Sequence, residues 1–190
     1  MRLKDERKFA AIIEATLALT QEVGLAGIKM STLAQRAGIA TGSLYTYFED
    51  KQDLLLSVHR EVWHKGATFL RRELDASAEF EEQFLQAIDI YVDYVYQNRE
   101  ALLFAEQLKR SPYMTEAAIS EVLAEYQFLS DLIETGKQAG RLVDHETEEI
   151  MHVMGGIVMA IIDQLIEKGQ PYTQAVKDRC RSYVAAAVSR

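Results

Sequence analysis

Apolar residues recur along this chain at spacings of three and four, with little strict alternation, so the pattern predicts helices from end to end. Phe9, Ile12, Ile13, Thr16, Leu17 and Thr20 mark one face of a first helix that Gly24 ends. A short second helix is predicted over 29–37, stopped by Gly38, and a third over 41–48. A fourth begins at residue 51, with Asp50 as its N-cap, and runs to about 74. Helices over 79–97, 99–110 and 115–138 follow, with Ser111-Pro112-Tyr113 breaking the chain before the last and Gly140 closing it. Asp144 is the expected cap of a helix over 147–168 that stops at Gly169, and Pro171 opens a final helix to about 189. The fold class expected is all-α, with nine helices, no internal repeat and no low-complexity tract.

Within the 115–138 helix and its neighbours the apolar faces are aromatic. Phe84, Ile88, Tyr91 and Val95 share one side of the fifth helix, and Val122, Leu123, Tyr126, Leu129 and Ile133 one side of the seventh. Each aromatic taken singly reads as core. Together they place several hydroxyl-bearing rings in one interior, which suits a pocket for an apolar or amphipathic small molecule. The lining expected is Phe84, Tyr91, Tyr94, Phe104 and Tyr126. The last two helices carry Ile157, Ile161 and Leu165, then Cys180, Val184 and Val188, with Gly155, Gly156 and Ala160 permitting close approach. Such faces either finish a monomer core or pair with a second copy.

Composition narrows the alternatives. A length of 190 residues with 48% apolar content is enough for a small domain joined to a medium one. Cys180 is the only cysteine, so no disulfide within the chain and no thiolate zinc site is expected, in keeping with a reducing cytoplasm. Arg2, Lys4, Asp5, Glu6, Arg7 and Lys8 charge the start of the chain, leaving no apolar signal core there. The best candidate for a membrane span, 151–166, carries His152 and Asp163 and falls short of the ~20 residues required, so no membrane association is expected. His59, His64, His145 and His152 show no metal-ligand spacing, and no catalytic dyad, phosphate loop or strained serine is visible. No metal, cofactor or enzymatic activity is expected. His59 and His64 are expected on the surface of the fourth helix or at a domain junction.

Net charge is −8, an unfavourable total for a nucleic-acid binder, but its distribution is uneven. Residues 1–65 hold nine Lys/Arg against eight Asp/Glu, and the remaining 125 hold 12 against 21. The negative charge therefore lies beyond the first third of the chain.

That first third contains Ser31-Thr32-Leu33-Ala34-Gln35-Arg36-Ala37-Gly38-Ile39-Ala40-Thr41-Gly42-Ser43-Leu44-Tyr45, which has the grammar of a helix-turn-helix over about 29–48. Leu33 and Ala34 offer a small apolar crossing point, Gly38 permits the tight turn, Ile39 plugs it, and Leu44 and Phe48 hold the third helix onto the first. Thr41, Ser43, Thr46 and Tyr47 are left facing outward, hydrogen-bonding side chains suited to a major groove. Tyr45 is open to either a DNA-facing or a partly buried place.

The series Ala34, Ala37-Gly38-Ile39, Gly42-Ser43-Leu44-Tyr45, Tyr47-Phe48, Lys51, Leu54-Leu55 resembles the DNA-binding signature of the tetracycline-repressor (TetR) family. Glu22 and Gly24 before it agree, as does Glu134, Gly136, Gly140, Leu142 before the last two helices. The resemblance implies an all-α dimer with a DNA-binding domain at 1–50, a linking helix over 51–74, and a ligand-binding and dimerisation domain over 51–190. It implies DNA contacts from Lys29, Thr41, Gly42, Ser43, Tyr45, Thr46 and Tyr47, and a phosphate contact from Lys51. It departs at Thr41, where a basic residue is frequent, and at Lys29, where a capping threonine is frequent. By the same resemblance, the last two helices form a four-helix dimer bundle through Ile157, Ile161, Leu165, Cys180, Val184 and Val188. The function implied is a cytoplasmic, ligand-responsive repressor, released from a palindromic double-stranded operator by a small effector. An all-α enzyme or a helical interaction adaptor are the rival readings, and salt-dependent duplex binding separates them.

Overall fold

The structure, a computed structural model, describes residues 3–190, with side chains from Glu6 onward. Arg2 and the Lys4 side chain, basic groups of the expected helix start, lie outside the described residues. The elements in order are α1 (Leu3–Gly27), α2 (Met30–Arg36), α3 (Thr41–Leu44), α4 (Lys51–Glu73), α5 (Phe80–Gln97), α6 (Arg99–Lys109), α7 (Glu116–Glu125), α8 (Gln127–Gln138), α9 (Thr147–Glu167) and α10 (Gln174–Val188). Among the described residues the only extended pairing is an isolated bridge between Leu142 and Ser189.

The described residues thus form ten helices where nine are expected. The predicted 115–138 helix is two, because Tyr126 leaves helical geometry (φ −97, ψ 12) while its side chain is buried. Its apolar face is continuous across the break, which is why periodicity alone reads one helix. The third helix is also shorter than predicted, since residues 45–47 are a turn. Pro171 lies ahead of α10, whose N-cap is Thr173, and α9 is entered through Glu146, not Asp144. Neither Thr173 nor Glu146 makes a side-chain capping bond. Asp50 does cap α4: its Oδ1 accepts the Asp53 N–H at 2.9 Å, and Asp53 Oδ2 accepts the Glu49 N–H at 3.0 Å.

By packing, the chain divides into two compact units. The first comprises the described residues up to 65 and residues 99–122, so the unit that holds the expected DNA-binding segment also includes the first part of α4, α6 and most of α7. Its core gathers Ile12, Leu19, Leu33, Leu44, Leu54, Leu55 and Val58 with Phe104 and Leu108 of α6, which packs along α1. Burying a side chain of this size is worth roughly 1.5–3 kcal/mol. The second unit comprises residues 66–98 and 123–190, where α5, α8, α9 and α10 pack on one another. Ion pairs fasten α10 to α5: Lys177 Nζ lies 2.6 Å from Asp93 Oδ2, and Arg181 pairs with Asp89.

By length and mean hydropathy two stretches, Glu6–Gly27 and Thr147–Glu167, are apolar enough to cross a bilayer, which the run-length reading does not anticipate. Each packs on one side against helices of its own unit, α1 on α2 and α6, α9 on α5, α8 and α10.

Candidate nucleic-acid interface

The first unit, the head, is built around two turns that need a left-handed backbone. Gly24, at φ 66 and ψ 168, interrupts α1 near its end and redirects the chain towards α2. Gly38, at φ 68, turns α2 into α3, with its N–H donating to the Gln35 carbonyl and that of Ile39 to the Ala34 carbonyl. Leu33, Ala34 and Leu44 are fully buried beneath this turn, and the Phe48 ring, beyond the end of α3, lies 6.2 Å from that of Phe9, which seats the segment following α3 on α1. An ion pair between Arg36 and Glu22 (2.6 Å) crosses from α2 to α1 on the surface. The hydrogen bond from Arg36 holds the Glu22 carboxyl below its usual range.

On this frame Lys29, Thr41, Gly42, Tyr45 and Thr46 are exposed, and Ser43 is half-buried. Lys29 is the α2 N-cap in extended geometry without a side-chain cap bond, as an ammonium has no acceptor to offer the first helical N–H groups. Tyr45, at 53% exposure, is the aromatic that faces outward. Tyr47, expected to face outward, is half-buried against the head core, its ring 6.3 Å from Phe48. The short α3 explains the exchange: after Leu44 the chain turns instead of continuing as a helix, and the facing of residues 45–47 departs from the helical wheel. The Thr46 hydroxyl donates to the Ser43 carbonyl at 2.6 Å, leaving its methyl and its lone pairs for a partner.

Lys51, the first residue of α4, is half-buried. Its ammonium donates to the Ala26 carbonyl at 3.3 Å and lies 5.4 Å from the centre of the Tyr113 ring. Gln52 Nε2 donates to the Tyr113 carbonyl at 3.1 Å. Sequence reasoning places Ser111-Pro112-Tyr113 only as punctuation; no local signal tells that this loop returns to the start of α4.

His59 is buried, not on the surface, whereas His64 is exposed. His59 Nε2 accepts the indole N–H of Trp63 at 2.8 Å, so the ring is neutral with its proton on Nδ1. Burial, reinforced by Arg60 and partly offset by Glu121, pushes its pKa down to about 4.

In the second unit the expected pocket residues separate. Tyr94 and Tyr126 converge on Gly66 of α4. A methyl group there would collide with the Tyr126 hydroxyl and lie 3.2 Å from the Tyr94 ring. Burial raises both phenols, Tyr94 to about 12. Tyr91 is half-buried with its hydroxyl beside Gly155. Phe84 is buried and stacked on Phe80, with ring centres 5.6 Å apart. Phe104 is not with them: it is wholly buried in the core of the first unit, because α6 packs along α1.

Of the expected dimer residues, Leu165, Cys180, Val184 and Val188 are at most 2% exposed in the single chain and form its core; Ile157 and Ile161 are half-buried. The outward face of α9 carries Val153, Gly156, Ala160 and Gln164, and that of α10 carries Ser182, Tyr183 and Ala186. The pattern finds the helices; within the single chain Leu165, Cys180, Val184 and Val188 face inward, whereas Val153 and Tyr183 face outward.

A helical head with a tight glycine turn, a polar exposed face and a lysine at the next helix start defines a helix-turn-helix DNA-binding protein. Residues 12–58 match the bacterial regulatory proteins of the tetR family, and residues 57–182 match the tetracyclin repressor-like C-terminal domain. The chain belongs to the TetR family: it is a DNA-binding transcriptional regulator and not an enzyme. A fatty acid metabolism regulator protein of Bacillus subtilis (strain 168) is 24% identical over 143 residues, 74% of each chain. The HTH-type transcriptional regulator BetI of Burkholderia mallei (strain NCTC 10229) is 40% identical over 77 residues, only 38% of each chain. A TetR family transcription regulator from Marinobacter aquaeolei VT8 has the same fold, with a TM-score of 0.91 over 100% of this chain and 99% of that one at 20% identity. The fatty acid degradation regulator FadR from Bacillus halodurans follows at 0.75, covering 94% of each chain at 22% identity.

Proposed function

We propose that this regulator is a cytoplasmic homodimeric repressor that binds a palindromic operator and leaves it when an apolar or amphipathic effector occupies the second unit. The observation that carries the reading is the exposed face of the head. Thr41, Gly42, Tyr45 and Thr46 are open to a partner beside the half-buried Ser43, with Lys29 and Lys51 as the flanking cations. Base edges fall to Thr46 and Ser43. Thr46, whose hydroxyl already donates a hydrogen bond to the Ser43 carbonyl, offers a methyl group for thymine and lone pairs for a base amino group. Lys51, Lys29 and Tyr45 fall to the backbone, where contacts position without specifying.

The effector reading rests on Tyr91, Tyr94 and Tyr126, buried or half-buried rings with polar ends in one unit, and is supported by the relationship to a regulator of fatty acid metabolism. α4 and α7 each run from one unit into the other along a continuous helix. An effector that alters the second unit can therefore act on the head, with a coupling of about 1–3 kcal/mol typical of such linkage. The dimer reading rests on the outward faces of α9 and α10, where Val153 and Tyr183 are 47% and 59% exposed beside small residues.

Selection from random duplexes tests the DNA reading: wild-type protein should enrich a palindrome with half-sites a helical turn or more apart. Thr46→Val should change base preference by on the order of 1–3 kcal/mol at an affected pair. Enrichment of no palindrome sinks the dimeric operator reading; an unchanged preference in the variant removes Thr46 from the reading set.

A further inference from the structure

We propose that Tyr113, in the loop between α6 and α7, is a positioning residue for DNA binding: its ring holds the Lys51 ammonium at the place from which it meets an operator phosphate. The inference rests on the reading of Lys51 as a phosphate contact and adds a residue distant in sequence to it.

A lysine ammonium has three donors on a flexible stem. At Lys51 one donor is taken by the Ala26 carbonyl at 3.3 Å, and the Tyr113 ring lies 5.4 Å from the nitrogen. Both partners are uncharged, so they fix the ammonium without neutralising it. A carboxylate in either place would do the reverse and compete with a phosphate. The remaining donor keeps its hydrogen-bonding capacity for the backbone of a duplex, and the rotamer entropy of the stem is lost on folding instead of on binding.

The loop is itself built to keep the ring there. Ser111 Oγ donates to the Leu108 carbonyl at 2.8 Å and accepts the Tyr113 N–H at 3.2 Å, while the Met114 N–H reaches the Ser111 carbonyl at 3.3 Å. Pro112 restricts the backbone between them. Gln52, next to Lys51, holds the Tyr113 carbonyl at 3.1 Å, so ring and ammonium are tied through adjacent residues at both ends. Phe104 and Leu108, which precede the loop on α6, are fully buried in the core that also holds Leu54 and Leu55 of α4, so loop and ammonium belong to one compact unit.

The test is a double-mutant cycle on the full-length protein, using the duplex enriched by wild type. Lys51→Ala should weaken binding and lower the salt slope by about one unit per site. Tyr113→Leu should weaken binding roughly twofold to tenfold, the cost of ordering one long side chain on binding instead of on folding, with the thermal midpoint kept. Tyr113→Phe should restore wild-type affinity, and Tyr113→Leu should add nothing in the Lys51→Ala background. Wild-type affinity in Lys51→Ala overturns the phosphate reading itself. A weakened Lys51→Ala beside an unaffected Tyr113→Leu overturns only the role of Tyr113. Equal weakening by Tyr113→Leu with and without Lys51 makes the ring merely structural and also overturns it. A measurement on the unmodified chain stands should the leucine variant fail to fold. The ε-methylene protons of Lys51 should carry an upfield ring-current shift, and a random-coil position there refutes the contact.

Discussion

At the scale of single residues, the head's one buried imidazole makes its stability depend on pH. His59 is neutral in the folded chain, with a pKa pushed down to about 4 from an ordinary 6.5. Between those values the unfolded chain binds a proton that the folded chain does not, so stability falls as pH drops through the window and is unaffected above it. The loss expected at pH 5 is about 2 kcal/mol relative to pH 7. Trp63 is the only tryptophan and donates to His59, so its fluorescence follows the event directly. His59→Gln keeps an acceptor for the indole but removes the titration. Denaturant midpoints at pH 7 and pH 5 should converge in that variant relative to wild type; an equal drop in both would show that surface carboxylates set the acid sensitivity.

At the scale of elements, two glycines serve opposite purposes and should respond differently to the same change. Gly38 sits at φ 68 with open space around the position of a Cβ, so Gly38→Ala meets only backbone strain, on the order of 1–2 kcal/mol. Gly66 lies within α4, where alanine is otherwise preferred, yet a methyl group would strike the Tyr126 hydroxyl and press on the Tyr94 ring. Gly66→Ala should therefore cost about 1–3 kcal/mol through overpacking, despite the gain in helix propensity. Adding Tyr126→Phe to Gly66→Ala should recover part of that loss and none of the loss at Gly38, as thermal midpoints would show. Stabilisation by Gly66→Ala alone would mean that the two tyrosines yield freely, and that this end of the second unit is loosely packed.

For the whole molecule, the division of α9 and α10 into inward and outward faces separates folding from assembly. Ala160 is exposed on α9, whereas Val184 is wholly buried on α10. Ala160→Glu should leave a folded chain that sediments as a monomer and loses operator affinity, because two half-sites are then bound independently. Val184→Glu places a charge in the core and should lower the thermal midpoint or prevent folding, since a buried unpaired charge costs several kcal/mol. A dimeric Ala160→Glu protein of unchanged sedimentation would move the interface away from this face.

The sequence by itself determined what depends on neighbours a turn or two apart. Spacings of three and four residues set the helices, Gly24 and Gly38 set the turns of the head, Asp50 set the start of α4, and the run from Ala34 to Leu55 was enough to mark the DNA-binding motif. Only the tertiary structure decided which apolar residues serve the chain's own core. It sent Phe104 to the head with α6, turned Leu165, Cys180, Val184 and Val188 inward, broke a continuous periodic stretch at Tyr126, and buried His59 while exposing Tyr45. It also brought Tyr113 over Lys51, 62 positions away in sequence. Periodicity reports that a face is apolar and cannot report what lies opposite it; that is settled by how helices distant in the chain pack, where burial of the largest side chains outweighs any local preference.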